Sequence, residues 1–188
     1  MLKTYQKTIL KPASFKGIGL HNGQKSEIKI LPAPENHGIV FKRVDLKKNN
    51  LIEANYKNIS SAVLCTKLSN KSGADVSTVE HLLAALYITG VDNALIEINN
   101  SEVPIMDGSS KEFVNFINET GLKNLKAKRK YLKINKKIEF EDGKKSISVE
   151  PYIEGLKVDF ELVYSNHIIG KQTNKINFAN TELGEVYN

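Results

Sequence analysis

The chain has one cysteine, Cys65, no tryptophan, and only two arginines, Arg43 and Arg129, in 188 residues. A single cysteine excludes both a disulfide framework and a cysteine-rich zinc module. No stretch approaches the roughly 18 consecutive apolar residues of a membrane-spanning helix, so no membrane span is expected. The first ten residues, MLKTYQKTIL, lack the apolar core of a secretory signal, which makes the cytoplasm the expected compartment. The net charge of +6 comes from lysines spread along the chain. A nucleic-acid-binding domain would instead show arginine-rich clusters with interleaved aromatics, so no nucleic-acid partner is expected. The one dense basic run, LKNLKAKRK at residues 122–130, reads as a linker. What is present suffices for a folded core: 40% of residues are apolar, which excludes a disordered or collagen-like chain.

Short strand patterns occupy residues 3–10, 26–31 and 39–43, and the glycine-rich Gly17-Ile18-Gly19-Leu20-His21-Asn22-Gly23 reads as a turn. Residues 62–69 suit an extended piece. The clearest helix is predicted over 77–90, with Ser77 and Glu80 spaced as a capping box and Gly90 as the stop. Val79, Leu82, Leu83, Leu86 and Tyr87 recur at helical spacing as one apolar stripe, which sets His81 on the opposite side. A strand at 93–99 and a short one through Val103 and Ile105 follow. A second helix is predicted over about 110–120, with Ser109 and Glu112 as its capping box and Phe113, Phe116 and Ile117 as its buried face. Residues 1–125 thus form an α+β domain, a sheet layer against a helix layer.

From residue 126 the pattern becomes strictly period two. Leu132, Ile134, Ile138 and Phe140 alternate with polar residues, Asp142-Gly143 marks a hairpin turn, and later strands carry Ile147, Val149, Val158, Phe160, Leu162 and Ile176. Residues 126–188 are expected to open a second domain as an antiparallel sheet with one apolar face. No helix pattern follows to cover that face, which suggests a partner or a longer protein of which this is the front part.

Glu80 and His81 stand side by side at the predicted helix start. One reading makes Glu80 a cap and His81 a surface histidine. The other makes His81 a metal ligand and Glu80 the base that deprotonates a metal-bound water. A catalytic zinc takes three protein ligands, and the other histidines, His21, His37 and His167, form no H-x-x-x-H or H-x-x-x-D pair with which to complete it. Cys65 has no activating neighbour in sequence and reads as structural. Gly17-Ile18-Gly19 lacks the third glycine of a dinucleotide fingerprint.

Five strings in order resemble one family. They are Gly17-Ile18-Gly19-Leu20-His21-Asn22-Gly23, Leu31-Pro32-Ala33-Pro34, Leu64-Cys65-Thr66, Ser77-Thr78-Val79-Glu80-His81-Leu82, and Val103-Pro104-Ile105-Met106-Asp107-Gly108-Ser109. Together they are similar to the UDP-3-O-acyl-N-acetylglucosamine deacetylases of lipid A biosynthesis. The resemblance implies two layered α/β domains packed face to face, with a Zn2+ ion between them. It implies hydrolysis of the substrate's N-acetyl group to a free amine and acetate, and it specifies no oligomeric state. It makes His81 a zinc ligand and Glu80 the general base. Leu64 and Cys65 fall on a loop near the acyl chain and substrate entrance, and His21 at the cleft edge. Lys145 and Tyr164 fall at nucleotide-contacting positions, Tyr164 where a ring can stack on uracil. The family's other zinc ligands, from an H-x-x-x-D motif and a later histidine, have no counterpart here. The alternative is therefore a catalytically inactive N-terminal fragment of such an enzyme.

Overall fold

The computed structural model describes residues 4–178, which divide into a unit spanning Thr4–Arg129 and a second unit from Lys130 onward. The first contains, in chain order, β1 (Tyr5–Ile9), β2 (Ala13–Ile18), β3 (Lys25–Pro32), β4 (Ile39–Arg43), β5 (Leu51–Glu53), a 3-10 turn at Tyr56–Asn58, β6 (Ile59–Ser61), β7 (Lys67–Ser69), β8 (Asp75–Val76), α1 (Glu80–Thr89), β9 (Ala94–Ile98), α2 (Lys111–Thr120) and β10 (Leu122–Lys128). The class is α+β.

The central sheet runs β2-β3-β9-β4-β5, with β4 and β9 parallel and the other pairs antiparallel. Because side chains alternate across a strand, residues in register share a face. One row joins Ala13, Ile30, Ile96, Phe41 and Ile52, and the next joins Phe15, Ile28, Ile98 and Arg43. All nine are buried. The opposite face carries Lys29, Glu97 and Lys42, with a 2.9 Å ion pair between Lys42 and Glu97. One face is thus dry and one wet, and the helices supply the second layer. Helix α2 meets β2 through Phe15, whose ring lies 5.2 Å from Phe113 edge-on and 5.4 Å from Phe116 stacked. Helix α1 packs on α2. Both arginines are engaged internally: Arg43 with Asp45 and Asp75, and Arg129 with Asp92 and the Gly90 carbonyl.

Several expectations are corrected. The lysine run is not a linker, because Leu122–Lys128 forms β10 and pairs antiparallel with β1 across the length of the unit. The buried side of α1 is Leu82, Ala85, Leu86 and Thr89, while Tyr87 is 59% exposed. The Thr89 hydroxyl donates back to the Ala85 carbonyl at 2.8 Å, which satisfies it within the helix and lets the residue be buried. At about 100° per residue, His81 then lies on the flank of the buried stripe rather than opposite it, and it is half-buried. Ser77 and Glu80 form no capping box, and α1 begins without a side-chain cap; at α2 the Ser109 Oγ accepts the Lys111 N–H at 3.1 Å, and no bond from Glu112 completes a box among the described residues. Val103 and Ile105 lie outside any strand; their segment carries one isolated bridge, between Ser77 and Glu102, and the Ile105 N–H donates to the Ile18 carbonyl at 3.1 Å. Gly90 does stop α1. It takes φ 83°, its N–H donates to the Leu86 and Tyr87 carbonyls, and the Val91 N–H also returns to the Leu86 carbonyl, a Schellman-type ending.

The second unit consists, over its described residues, of two hairpins rather than one sheet. β11 (Ile138–Asp142) pairs with β12 (Lys145–Val149), and β13 (Lys157–Val163) with β14 (Lys171–Asn177). The first loop is Gly143-Lys144, with Gly143 at φ 59°, as the first position of a type II′ turn requires. Ile138, Phe140, Ile147 and Val149 share one face of that hairpin and are all exposed. A two-stranded hairpin has no second layer to bury a face.

Candidate functional site

The approach to α1 is held by long-range backbone bonds. The Ser77 N–H donates to the Ser101 carbonyl at 2.8 Å, and the Val103 N–H donates to the Ser77 carbonyl at 3.1 Å. Ser77 is thereby committed outside the helix and cannot cap it. Thr78 follows at φ 57°, in the left-handed region that a β-branched residue enters only under constraint. Glu80 opens the helix. Its Oε2 accepts the Thr66 N–H at 3.0 Å, and the Val79 N–H reaches the Thr66 carbonyl at 3.4 Å. The carboxylate is a tie to another loop, not a cap. Its Oε1 and the His81 ring have no hydrogen-bond partner among the described residues.

The loop joined to Glu80 carries Leu64 and Cys65. Leu64 has φ 64° and is 87% exposed, and Val63 beside it is 77% exposed. Cys65 is a free, half-buried thiol. Two apolar side chains projecting into solvent on a strained loop, within three residues of the Glu80 tether, make a surface suited to an apolar ligand.

His21 reaches the same helix head by another route. The turn after β2 is closed by the Gly19 N–H to the Gln24 carbonyl at 3.0 Å and the Gly23 N–H to the Gly19 carbonyl at 3.1 Å. Its outer amides converge on Glu102. The His21 N–H donates to Oε1 at 2.9 Å, the Asn22 N–H to Oε2 at 2.8 Å, and the Thr78 hydroxyl to Oε1 at 2.9 Å. Gly19 is required by close approach, since a Cβ there would stand 2.5 Å from Glu102 Oε2. Glu102 is 1% exposed. Sequence reasoning missed it, because nothing in Ser101-Glu102-Val103 distinguishes a buried acceptor from a solvated loop acid. The one available signal was the glycine at 19, which leaves room for another group.

Burial pushes the Glu102 pKa up, but the bonds from His21, Asn22 and Thr78, helped by the neighbouring His21 ring, outweigh it and hold the carboxyl below its usual range. A carboxyl whose pKa is depressed by folding contributes stability that is complete above the unfolded pKa and lost as pH falls through the folded one. Urea midpoints measured from neutral pH downward are expected to drop more steeply in the wild type than in Glu102→Gln, which has no proton to gain. Parallel acid limbs in the two proteins would rule out this contribution.

Lys145 and Tyr164 belong to the second unit. Lys145 opens β12 opposite Asp142, and Tyr164 follows β13, exposed, with its N–H donating to the Gly170 carbonyl at 3.0 Å. No hydrogen bond or ion pair joins them to each other among the described residues. His37 is turned to the Gly38 carbonyl, and His167 lies in the loop between β13 and β14. Among the described residues no three His, Cys, Asp or Glu side chains gather as a metal site, and no helix is long and apolar enough to cross a membrane.

The head of α1 therefore collects Glu80 and His81 on the helix, the Leu64–Cys65 loop through Thr66, and the His21 turn through Glu102 and Thr78. The family model for UDP-3-O-acyl N-acetylglycosamine deacetylase matches residues 6–186. Curated relatives named UDP-3-O-acyl-N-acetylglucosamine deacetylase include that of Haemophilus ducreyi, 37% identical over 97% of this chain and 60% of its own length. Those of Shewanella denitrificans and Shewanella frigidimarina are 41% and 42% identical, each over 89% of this chain and 54% of its own length. The chain thus spans between about half and three-fifths of the length of the relatives it matches. By the match along nearly all its residues, the chain belongs to the UDP-3-O-acyl N-acetylglycosamine deacetylase family.

Proposed function

We propose that this chain contributes the base and one metal ligand to an enzyme that removes the acetyl group from UDP-3-O-acyl-N-acetylglucosamine in lipid A biosynthesis, a cytoplasmic step. The carrying observation is the Glu80 carboxylate, tethered through Oε2 to the Thr66 N–H beside the half-buried His81, with Oε1 left without a partner among the described residues. One oxygen is used for orientation, and the other is available for a proton. Family membership supplies the substrate class.

The described residues fit one corner of a zinc site. His81 offers an imidazole, whereas a catalytic zinc takes three protein ligands and a water. Bound zinc would supply Lewis acidity toward the acetyl carbonyl and a water of lowered pKa. Glu80 takes a proton from the water that attacks the carbonyl carbon. When the C–N bond breaks, the proton taken from the water is returned to the nitrogen, which leaves as the free amine, and the acyl fragment leaves as acetate. The exposed Leu64 loop faces the acyl chain, His21 borders the substrate, and Lys145 and Tyr164 contact the nucleotide, Tyr164 by stacking on uracil.

The single imidazole carried by α1 favours a second reading, in which the 188-residue chain is catalytically inactive by itself. Titration calorimetry on this chain is expected to show weak zinc binding without fixed stoichiometry, and incubation with substrate is expected to release no acetate. Tight one-to-one binding that disappears in His81→Ala would mean that the chain completes its own site. In an active enzyme carrying this segment, His81→Ala is expected to lose zinc and turnover together, and retained zinc would remove His81 from the ligand set.

A further inference from the structure

We propose that Glu102 is the positioning residue of this site: its carboxylate locks the His21 turn to Thr78, and through Thr78 sets the stance of Glu80 and His81. As a role in deacetylation this rests on the reading above; as a coupling between two loops it stands on geometry alone.

Glu102 is almost fully buried, and among the described residues no lysine or arginine pairs with it. Burying a charge without a cation is costly unless hydrogen bonds replace its water. Here the replacements are two backbone N–H groups and one hydroxyl, all donors. Only an ionised carboxylate accepts at both oxygens; a glutamine would turn its own NH2 toward one of the N–H donors. The His21 N–H and the Thr78 hydroxyl share a single oxygen, Oε1, so the turn and the helix approach are registered to the same point.

The register has leverage because Thr78 is strained. Its φ of 57° is disfavoured for a β-branched residue, and the hydroxyl bond to Glu102 acts together with the Ser77 backbone bonds to keep it there. If the hydroxyl bond is lost, Thr78 can relax toward negative φ, which would swing Val79, Glu80 and His81 away from Thr66. Gly19 completes the device, since any side chain there would displace the carboxylate. A simple loop staple would have no such reach. It would hold the His21 turn and leave the Glu80 tether indifferent.

The experiment is amide hydrogen exchange and 1H–15N shifts of His21, Asn22 and Thr66 in the 188-residue chain, comparing wild type with Thr78→Val, Thr78→Ser and Glu102→Gln. Thr78→Val keeps the β-branched shape but removes the donor that holds the residue at positive φ. It is expected to shift the Thr66 amide and speed its exchange about tenfold or more, the order expected for losing a hydrogen bond to a charged group, while Asn22 stays protected. Thr78→Ser restores the hydroxyl and should return Thr66 to wild-type behaviour. Glu102→Gln should release His21, Asn22 and Thr66 together. A wild-type Thr66 amide in Thr78→Val, or release confined to His21 and Asn22 in Glu102→Gln, overturns the proposal. If Glu102→Gln does not fold, the Thr78 pair decides alone. None of these readouts involves turnover, so their failure leaves the deacetylase reading intact, and failure of that reading leaves the coupling intact.

Discussion

Glu80→Gln is expected to lower kcat by about 10²–10⁴-fold, the usual contribution of a general base, in an active enzyme carrying this segment, with zinc content and melting temperature close to wild type. The structure makes this substitution unusually clean. Glutamine retains a carbonyl oxygen to accept the Thr66 N–H, so the tether that orients the side chain survives. What disappears is the ability to take a proton at neutral pH. Glu80→Ala removes the tether as well, and should add a stability loss of about 0.5–1.5 kcal/mol to the same catalytic defect. Were Glu80 only a helix-end residue, both variants would keep kcat in whatever protein remained folded. A near-normal kcat in Glu80→Gln would therefore eliminate the general-base role, and zinc analysis on the same samples would separate a lost base from a lost metal.

The largest stability effect is expected at Phe113. Its ring is fully buried on α2 and meets Phe15 of β2 edge-on, which makes it the joint between the helix layer and the sheet. Phe113→Ala removes that apolar area and leaves a cavity that the sheet cannot collapse into, at a cost of about 3–5 kcal/mol. Urea unfolding of the chain should show the midpoint falling with the slope unchanged. Phe113→Leu, which keeps most of the volume, should recover much of the loss. A difference below about 1 kcal/mol between Phe113→Ala and wild type would show that the Phe15–Phe113 contact is not the joint.

Local pattern carried far where burial follows from the residue's own neighbours along the chain. The alternation of Ile28 with Ile30 and of Ala94, Ile96 and Ile98 predicted strands, because one face of a sheet must exclude water wherever the strand lies. Gly90 marked the end of α1 because a left-handed residue is needed there whatever packs around it. The Ser-Thr-Val-Glu-His-Leu string marked a candidate site through its likeness to the family's motif.

The errors share a cause, which is competition between local and distant partners. Ser77 and Glu80 have capping-box spacing, but Ser77 is taken by Ser101 and Val103, and Glu80 by Thr66. The spacing was visible; the competitors, up to 26 residues away, were not. Tyr87 has helical spacing with Leu83, but the buried side of α1 runs through Leu82, Ala85, Leu86 and Thr89 and leaves Tyr87 exposed. Lys123, Lys126 and Lys128 disguised β10, whose partner β1 lies at the other end of the unit. β2 was concealed by the glycines and lysine at its end, and its neighbours in register supply the reason it is a strand. Residue types and periodicity were enough to place the chain in its class and to mark Glu80 and His81 as candidates, while His21 entered only through the family resemblance. The tie between the His21 turn and Thr78 at a buried Glu102 could come only from folding. A carboxylate's environment is set by donors brought from residues 21, 22 and 78, and no pattern local to residue 102 encodes them.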